Sequence, residues 1–204
     1  MRCRIGIRVW ALVLSVCSAL GAWGQTDTEF WFVAPEVWTG HGDSPIVLRF
    51  ATLGAPATIT VEQPANAAFP TQTLNVAANA TATLDLTPWM DQVENKPVNA
   101  VLDLGLHITA TSEITAYYEV NHNLNPDIFT LKGSAALGTE FYTPFQTFLN
   151  NNYNESKAGL DLVATEDNTT ITITPSTALV GHPAGVAFNI VLDAGETYSL
   201  RAAS

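Results

Sequence analysis

The sequence predicts an all-β fold made of two tandem, related β-sandwich-like units, the second incomplete. Three observations predict it. Period-two segments rich in Thr, Val, Ile and aromatic residues run through the chain, as half-buried strands require, and no segment carries a helical apolar stripe. Short blocks recur in the same order: Thr28-Glu29-Phe30 as Thr139-Glu140-Phe141, Ala57-Thr58-Ile59-Thr60-Val61 as Thr169-Thr170-Ile171-Thr172-Ile173, and the block Leu74 to Thr81 as Ile190 to Thr197. Their spacings are 111, 112 and 116 residues, so length is gained only between blocks. Duplicated strands joined by variable loops produce that pattern. Turn-forming residues also fall at equivalent places, with Ala77-Ala78-Asn79 against Asp193-Ala194-Gly195, where Asn and Gly exchange at a site expected to need positive φ.

Residues 1–24 read as a signal peptide rather than as part of the fold. Arg2, Arg4 and Arg8 make a basic start, Val9 to Leu20 is apolar, and Ala22-Trp23-Gly24 supplies a small-x-small site, placing cleavage between Gly24 and Gln25. The apolar run is shorter than the ~20 residues of a spanning helix, which argues against a membrane anchor. A lipoprotein reading through Cys17 is weakened by Val16, where a small residue is wanted. Cleavage removes both cysteines, Cys3 and Cys17, so neither disulfides nor thiolate chemistry are expected in the exported chain. It also removes three of the eight basic residues, leaving five against 19 acidic ones, a net charge of −14. Such a surface repels nucleic acid and anionic lipid, so no nucleic-acid partner and no membrane insertion after cleavage are expected.

The first β-unit, residues 25–122, is expected to hold strands at Glu29 to Ala34, Ile46 to Thr52, Ala57 to Gln63, Gln72 to Val76, Ala80 to Leu86, Leu106 to Thr109 and Ile114 to Glu119. Thr87-Pro88-Trp89-Met90 reads as one helical turn, with Thr87 as N-cap and Pro88 at the first helical position. The second unit, residues 123–204 with a connector at 123–138, is expected to hold strands at Glu140 to Phe145, Gly159 to Thr165, Thr169 to Thr174, Val186 to Leu192 and Glu196 to Arg201. Glu166-Asp167-Asn168 reads as a hairpin turn between two of them, matched by Leu53-Gly54-Ala55-Pro56 in the first unit. Nothing in the second unit answers Leu106 to Val120, so the sequence is expected to be a fragment of a longer chain whose missing strands leave an apolar edge unpaired.

At the junction the residues become distinctive. Asn125-Pro126-Asp127-Ile128-Phe129-Thr130-Leu131-Lys132-Gly133 leads into Ala136-Leu137-Gly138-Thr139-Glu140-Phe141-Tyr142. Val163-Ala164-Thr165-Glu166-Asp167-Asn168 then leads into Thr169 to Pro175, and Gly195-Glu196-Thr197-Tyr198-Ser199-Leu200-Arg201-Ala202 closes the run. It resembles the IgG Fc-binding protein N-terminal domain family, and in particular the exported, cell-surface versions of gliding bacteria of the Bacteroidetes type. The resemblance is clearest from about Leu106 to Arg201. It implies an all-β repeated module with a recognition or adhesion role, and it transfers no catalytic residue. A family named for one member's ligand does not by itself assign that ligand, because function lives in the site.

The chemistry-bearing residues are sparse. His41-Gly42-Asp43, after Trp38, pairs a possible ligand with a possible base partner, but Gly-flanked polar residues are ordinary turn chemistry. His107 alternates with Leu106 and Ile108 and is expected to face outward, while His122 and His182 give no zinc spacing. Glu166-Asp167-Asn168 and the segment Asp91 to Asn95 lack the acidic alternation and glycine of a calcium loop. No Gly-x-Ser-x-Gly elbow and no phosphate-binding glycine run is present. Trp31 must point opposite to Phe30 and Phe32, either into a contact between units or outward as an aromatic platform. Trp38, Asn151 and Tyr153 are the expected ligand contacts, because loops on a rigid sandwich are where recognition resides. These readings converge on a secreted or cell-surface, non-enzymatic module without cofactor or metal, binding an extracellular protein or glycan. A structural spacer repeat is the first alternative and a carbohydrate-processing enzyme the second.

Overall fold

A computed structural model describes residues 25–36, 44–123, 126–143 and 158–203. The signal segment, the connector residues 124–125 and the readings at His41, Asp43 and Phe145 lie outside them. The described residues form β1 (Asp27–Phe32), β2 (Ile46–Thr52), β3 (Ala57–Glu62), β4 (Gln72–Val76), β5 (Thr81–Asp85), β6 (Val101–Leu102), β7 (Leu106–Val120), β8 (Asp127–Thr130), β9 (Gly159–Val163), β10 (Thr169–Ile173), β11 (Phe188–Leu192) and β12 (Thr197–Arg201). Among the described residues helix is limited to single turns at Thr87–Trp89, Met90–Val93 and Gly133–Ala136. The class is all-β, as the alternation predicts.

β7 organises the N-terminal part. In the order β4-β3-β7-β2-β5 it lies between β3 and β2, and it also pairs with β1 and β8, all antiparallel. Residues 107–110 pair with β3 and residues 114–120 with β2. The polar run Thr111-Ser112-Glu113, which lies between the two strands expected at Leu106 to Thr109 and Ile114 to Glu119, marks where one continuous strand changes partner. Its inward residues Leu106, Ile108, Ile114, Ala116, Tyr118 and Val120 are buried in one core with Phe30, Leu48, Phe50, Ile59 and Val61. Long-range ladders of this kind bury apolar side chains at about 25 cal/mol per Å².

The C-terminal part builds two smaller ladders, β6-β12-β9 and β10-β11, around Ala164, Leu192, Tyr198 and Leu200. Their register coincides with that of the first part. β3 pairs with β4 as Ala57↔Val76, Ile59↔Leu74 and Val61↔Gln72, and β10 pairs with β11 as Thr169↔Leu192, Ile171↔Ile190 and Ile173↔Phe188. β2 pairs with β5 as Leu48↔Leu84 and Phe50↔Ala82, and β9 pairs with β12 as Leu160↔Leu200 and Leu162↔Tyr198. Each pair maps onto its counterpart at the spacings of 112 and 116 found in the sequence.

Asn79 and Gly195 occupy equivalent turns, and both have positive φ, 53° and 85°. Gly195 also carries a close approach. Its carbonyl accepts the Gly105 N–H at 3.0 Å, and an added Cβ would lie 3.1 Å from the Ala65 nitrogen. Gly195→Ala is therefore expected to cost about 1–2 kcal/mol, from the left-handed backbone plus the crowding. Urea denaturation checks it, and an unchanged midpoint would refute the role assigned to this turn.

Four expectations are corrected. Asp127–Thr130, expected as connector, is a strand on β7 that brings Phe129 to 6.3 Å from Phe32. Residues 140–143, expected to begin a strand, have no ladder partner among the described residues. Glu166-Asp167-Asn168 does not close a hairpin, because β9 and β10 belong to different ladders. Instead, Asp167 accepts from the Ala194 N–H (3.0 Å) and Asp193 from the Asn168 N–H (2.8 Å), so two neighbouring turns lock each other. Thr87 does not cap the helical turn. The N-cap is Leu86, and the Thr87 hydroxyl accepts from the Ile46 N–H at 3.1 Å.

Candidate binding face on β1, β7 and β3

Alternation in β1 sends Phe30 and Phe32 into the core and Trp31 to the outer face. There the β1–β7 register sets Trp31 directly opposite His107, and the β3–β7 register sets Glu62 on the other side of the same histidine. The Trp31 and His107 rings stack with centroids 4.2 Å apart at 19°. His107 Nε2 lies 3.0 Å from Glu29 Oε1, and Nδ1 lies 3.3 Å from Glu62 Oε1. The indole N–H of Trp31 donates to the same Glu29 oxygen at 3.2 Å. A neutral imidazole can donate to only one of the two carboxylates, whereas the imidazolium donates to both.

The result is a stacked aromatic pair, with one ring face of each covered by the other, fixed on three hydrogen-bonded strands and flanked by two carboxylates. It can stack against a sugar ring or an aromatic side chain, and its acid flanks suit ligands rich in N–H or O–H donors. It is not built for a metal ion. The two ring nitrogens point away from each other, so Glu29 and Glu62 are held apart by the imidazole, and no group of three His, Cys, Asp or Glu side chains converges among the described residues. His107 faces outward as expected. His182 is instead stacked on Phe188, with centroids 3.6 Å apart at 9°.

A second polar cluster lies between the two parts. The Asn95 side chain, fully buried, donates to Asp161 Oδ1 (2.8 Å) and accepts from the Thr197 hydroxyl (2.8 Å). Glu36 accepts from Arg201 at 2.6 Å at its margin, and Lys96 donates to the buried Glu94 at 2.9 Å. Burial pushes the Asp161 carboxyl above its ordinary 3.8, outweighing its hydrogen bonds from Asn95 and Ser199. A carboxyl with a raised folded value stabilises the fold most below pH 3.8, and that contribution fades as pH rises through the folded value. Asp161→Asn, which cannot ionise and keeps an oxygen for Asn95, is expected to gain thermal stability over the parent as pH goes from 3.5 to 7. Melting curves at both pH values check this, and a pH-independent difference would count against it.

Of the residues the sequence singled out, Trp38, Asn151, Tyr153 and Gly24 lie outside the described residues, and Gln25 is exposed just before β1. The face on Trp31 and His107 was missed as a unit. His107 was legible as outward-facing and Trp31 as opposite to Phe30 and Phe32, but they stand 76 positions apart (31 to 107) and only the β1–β7 register joins them.

Among the described residues no helix is long and apolar enough to cross a membrane. No curated protein and no solved structure matches the chain. Residues 127–204, from β8 through β12, match the model of the family described as IgGFc binding protein, which is the family the junction residues resemble.

Proposed function

We propose that this chain is an exported, non-enzymatic binding module that acts at the cell surface on an extracellular protein or glycan. It is built of two related units, residues 25–122 and 123–204, with residues 1–24 removed as a signal peptide. The observation that carries the reading is the family match over residues 127–204, since that family is described by a binding activity. The Trp31 and His107 face supplies a rigid surface for such a role, with Trp38, Asn151 and Tyr153 as loop contacts. The acidic surface disfavours nucleic acid as the ligand.

The test is a binding survey with the chain from Gln25 to Ser204, using immobilised immunoglobulin Fc, extracellular glycoproteins and a glycan array. Reproducible, saturable retention of one class is expected, and Trp31→Ala is expected to weaken it about tenfold, the loss of one stacking contact, with the circular dichroism spectrum unchanged. Absence of any retained ligand would sink the binding reading. It would leave the spacer reading, which the coincident ladder registers favour because stacked like units extend a chain without needing a ligand.

A further inference from the structure

The two carboxylates beside His107 can accept more hydrogen bonds than the protein offers them. The indole N–H of Trp31 and His107 Nε2 both meet the same oxygen of Glu29, at 3.2 and 3.0 Å, while Glu62 meets Nδ1 at 3.3 Å. A neutral imidazole carries a single N–H. With that hydrogen on Nε2, the closer contact, Glu62 faces the lone pair of Nδ1, and two acceptors oppose each other. Other carboxylates of the chain are matched by a cation. Glu119, on the same outer face of β7, pairs with Arg49, Glu94 pairs with Lys96, and Glu36 pairs with Arg201. Among the described residues no lysine or arginine pairs with Glu29 or Glu62, whose ion-pair contact is His107. Both stay open to a ligand, with 54% and 42% of their side chains exposed. The indole adds an independent feature. One of its faces lies on His107, and the other makes no ring contact among the described residues. An indole face beside carboxylates attracts a cation through the ring quadrupole and through direct charge attraction.

We propose that this face binds an arginine side chain presented by an extracellular protein, with Glu62 and Glu29 as its carboxylate partners and Trp31 as the ring it stacks on. A guanidinium fits these groups better than an ammonium. It is planar and weakly hydrated, it lies flat on an aromatic ring, and its fork of N–H groups binds a carboxylate through two bonds at once. It gives Glu62 the donor that the neutral imidazole cannot, and it offsets the repulsion between the two acids. The charge of the whole chain acts in the same direction, since a formal net charge of −11 draws a basic partner toward the face. This inference deepens the reading of the chain as a binding module and rests on it.

The test uses the nitrogen-15-labelled chain from Gln25 to Ser204 and the blocked peptide Gly-Arg-Gly, with versions carrying citrulline or lysine in place of arginine, and with glucosamine. The readout is the indole N–H resonance of Trp31, told apart from those of Trp38 and Trp89 with a Trp31→Phe variant. The arginine peptide is expected to shift it saturably, and less so at high ionic strength. Citrulline, which keeps the shape and loses the charge, is expected to bind at least about tenfold more weakly, and so is the arginine peptide to Glu62→Gln, whose circular dichroism spectrum stays unchanged. Equal binding of citrulline and arginine, or equal binding to Glu62→Gln, would overturn the proposal. Lysine or glucosamine binding more tightly than arginine would overturn the choice of occupant. A resonance that no probe moves, while the binding survey retains a ligand, would overturn the arginine site alone. An empty survey sinks the module reading whatever the peptide does.

Discussion

Phe30→Ala is expected to cost about 3–5 kcal/mol, while Phe141→Ala changes stability by less than about 0.5 kcal/mol. The two phenylalanines stand in the same tripeptide, Thr-Glu-Phe, so the sequence alone treats them as equivalent. The difference comes from what lies over each ring. Phe30 sits opposite Ile108 in the β1–β7 ladder and joins the large core, so truncation removes its transfer free energy and opens a cavity among tightly packed neighbours. Phe141 lies largely in solvent, with Gly138 beside its ring, where an added Cβ would lie 3.3 Å away. Denaturant titration of both variants measures the contrast. Equal losses would mean that Phe141 is buried in solution as Phe30 is, and that the environment drawn for it is wrong.

Asn95→Ala is expected to be the costliest polar substitution, at about 2–4 kcal/mol. The side chain of Asn95 is the only bridge joining Asp161 to Thr197 in the hydrogen bonds described, donating to one and receiving from the other. Its removal takes one of two side-chain donors from the Asp161 carboxyl, which keeps Ser199, and leaves the fully buried Thr197 hydroxyl with the weaker bond to the Leu102 carbonyl at 3.2 Å. Each buried group left unmatched costs about 1–3 kcal/mol. Thr197→Val is milder, because it removes the hydroxyl along with its need for a partner, and in the Asn95→Ala background it is expected to recover part of the loss. A double-mutant cycle by urea denaturation reads the coupling, and strictly additive losses would show that the two residues do not share one network.

The strands were legible where alternation is unbroken. β2 and β4 have the bounds expected from the sequence, Ile46–Thr52 and Gln72–Val76, because each is a short apolar-polar alternation between loop residues. The positive φ shared by Asn79 and Gly195 was legible too, since only Asn and Gly take that backbone cheaply. β8 was not, because four residues, Asp127–Thr130, are too few to show a period. β7 was read as two strands, because Thr111-Ser112-Glu113 looks like a turn until the partner change from β3 to β2 is seen. The hairpin drawn at Asp167 failed for a related reason. Turn chemistry fixes where a chain reverses, but not which strand the returning segment pairs with.

The candidate face follows the same division. Period-two alternation is local, so the sequence by itself determined the all-β class, that Trp31 points opposite to Phe30 and Phe32, and the outward direction of His107. Pairing joins residues far apart in the chain, so only the tertiary structure decided that His107 lies between Glu29 and Glu62, that Asn95 reaches Asp161, and that β7 serves β1, β2 and β3 at once. The physical reason is that alternation records burial of one face. The partner on either edge is chosen by backbone hydrogen bonds, which every residue but proline can offer alike and which leave no mark on the side-chain sequence.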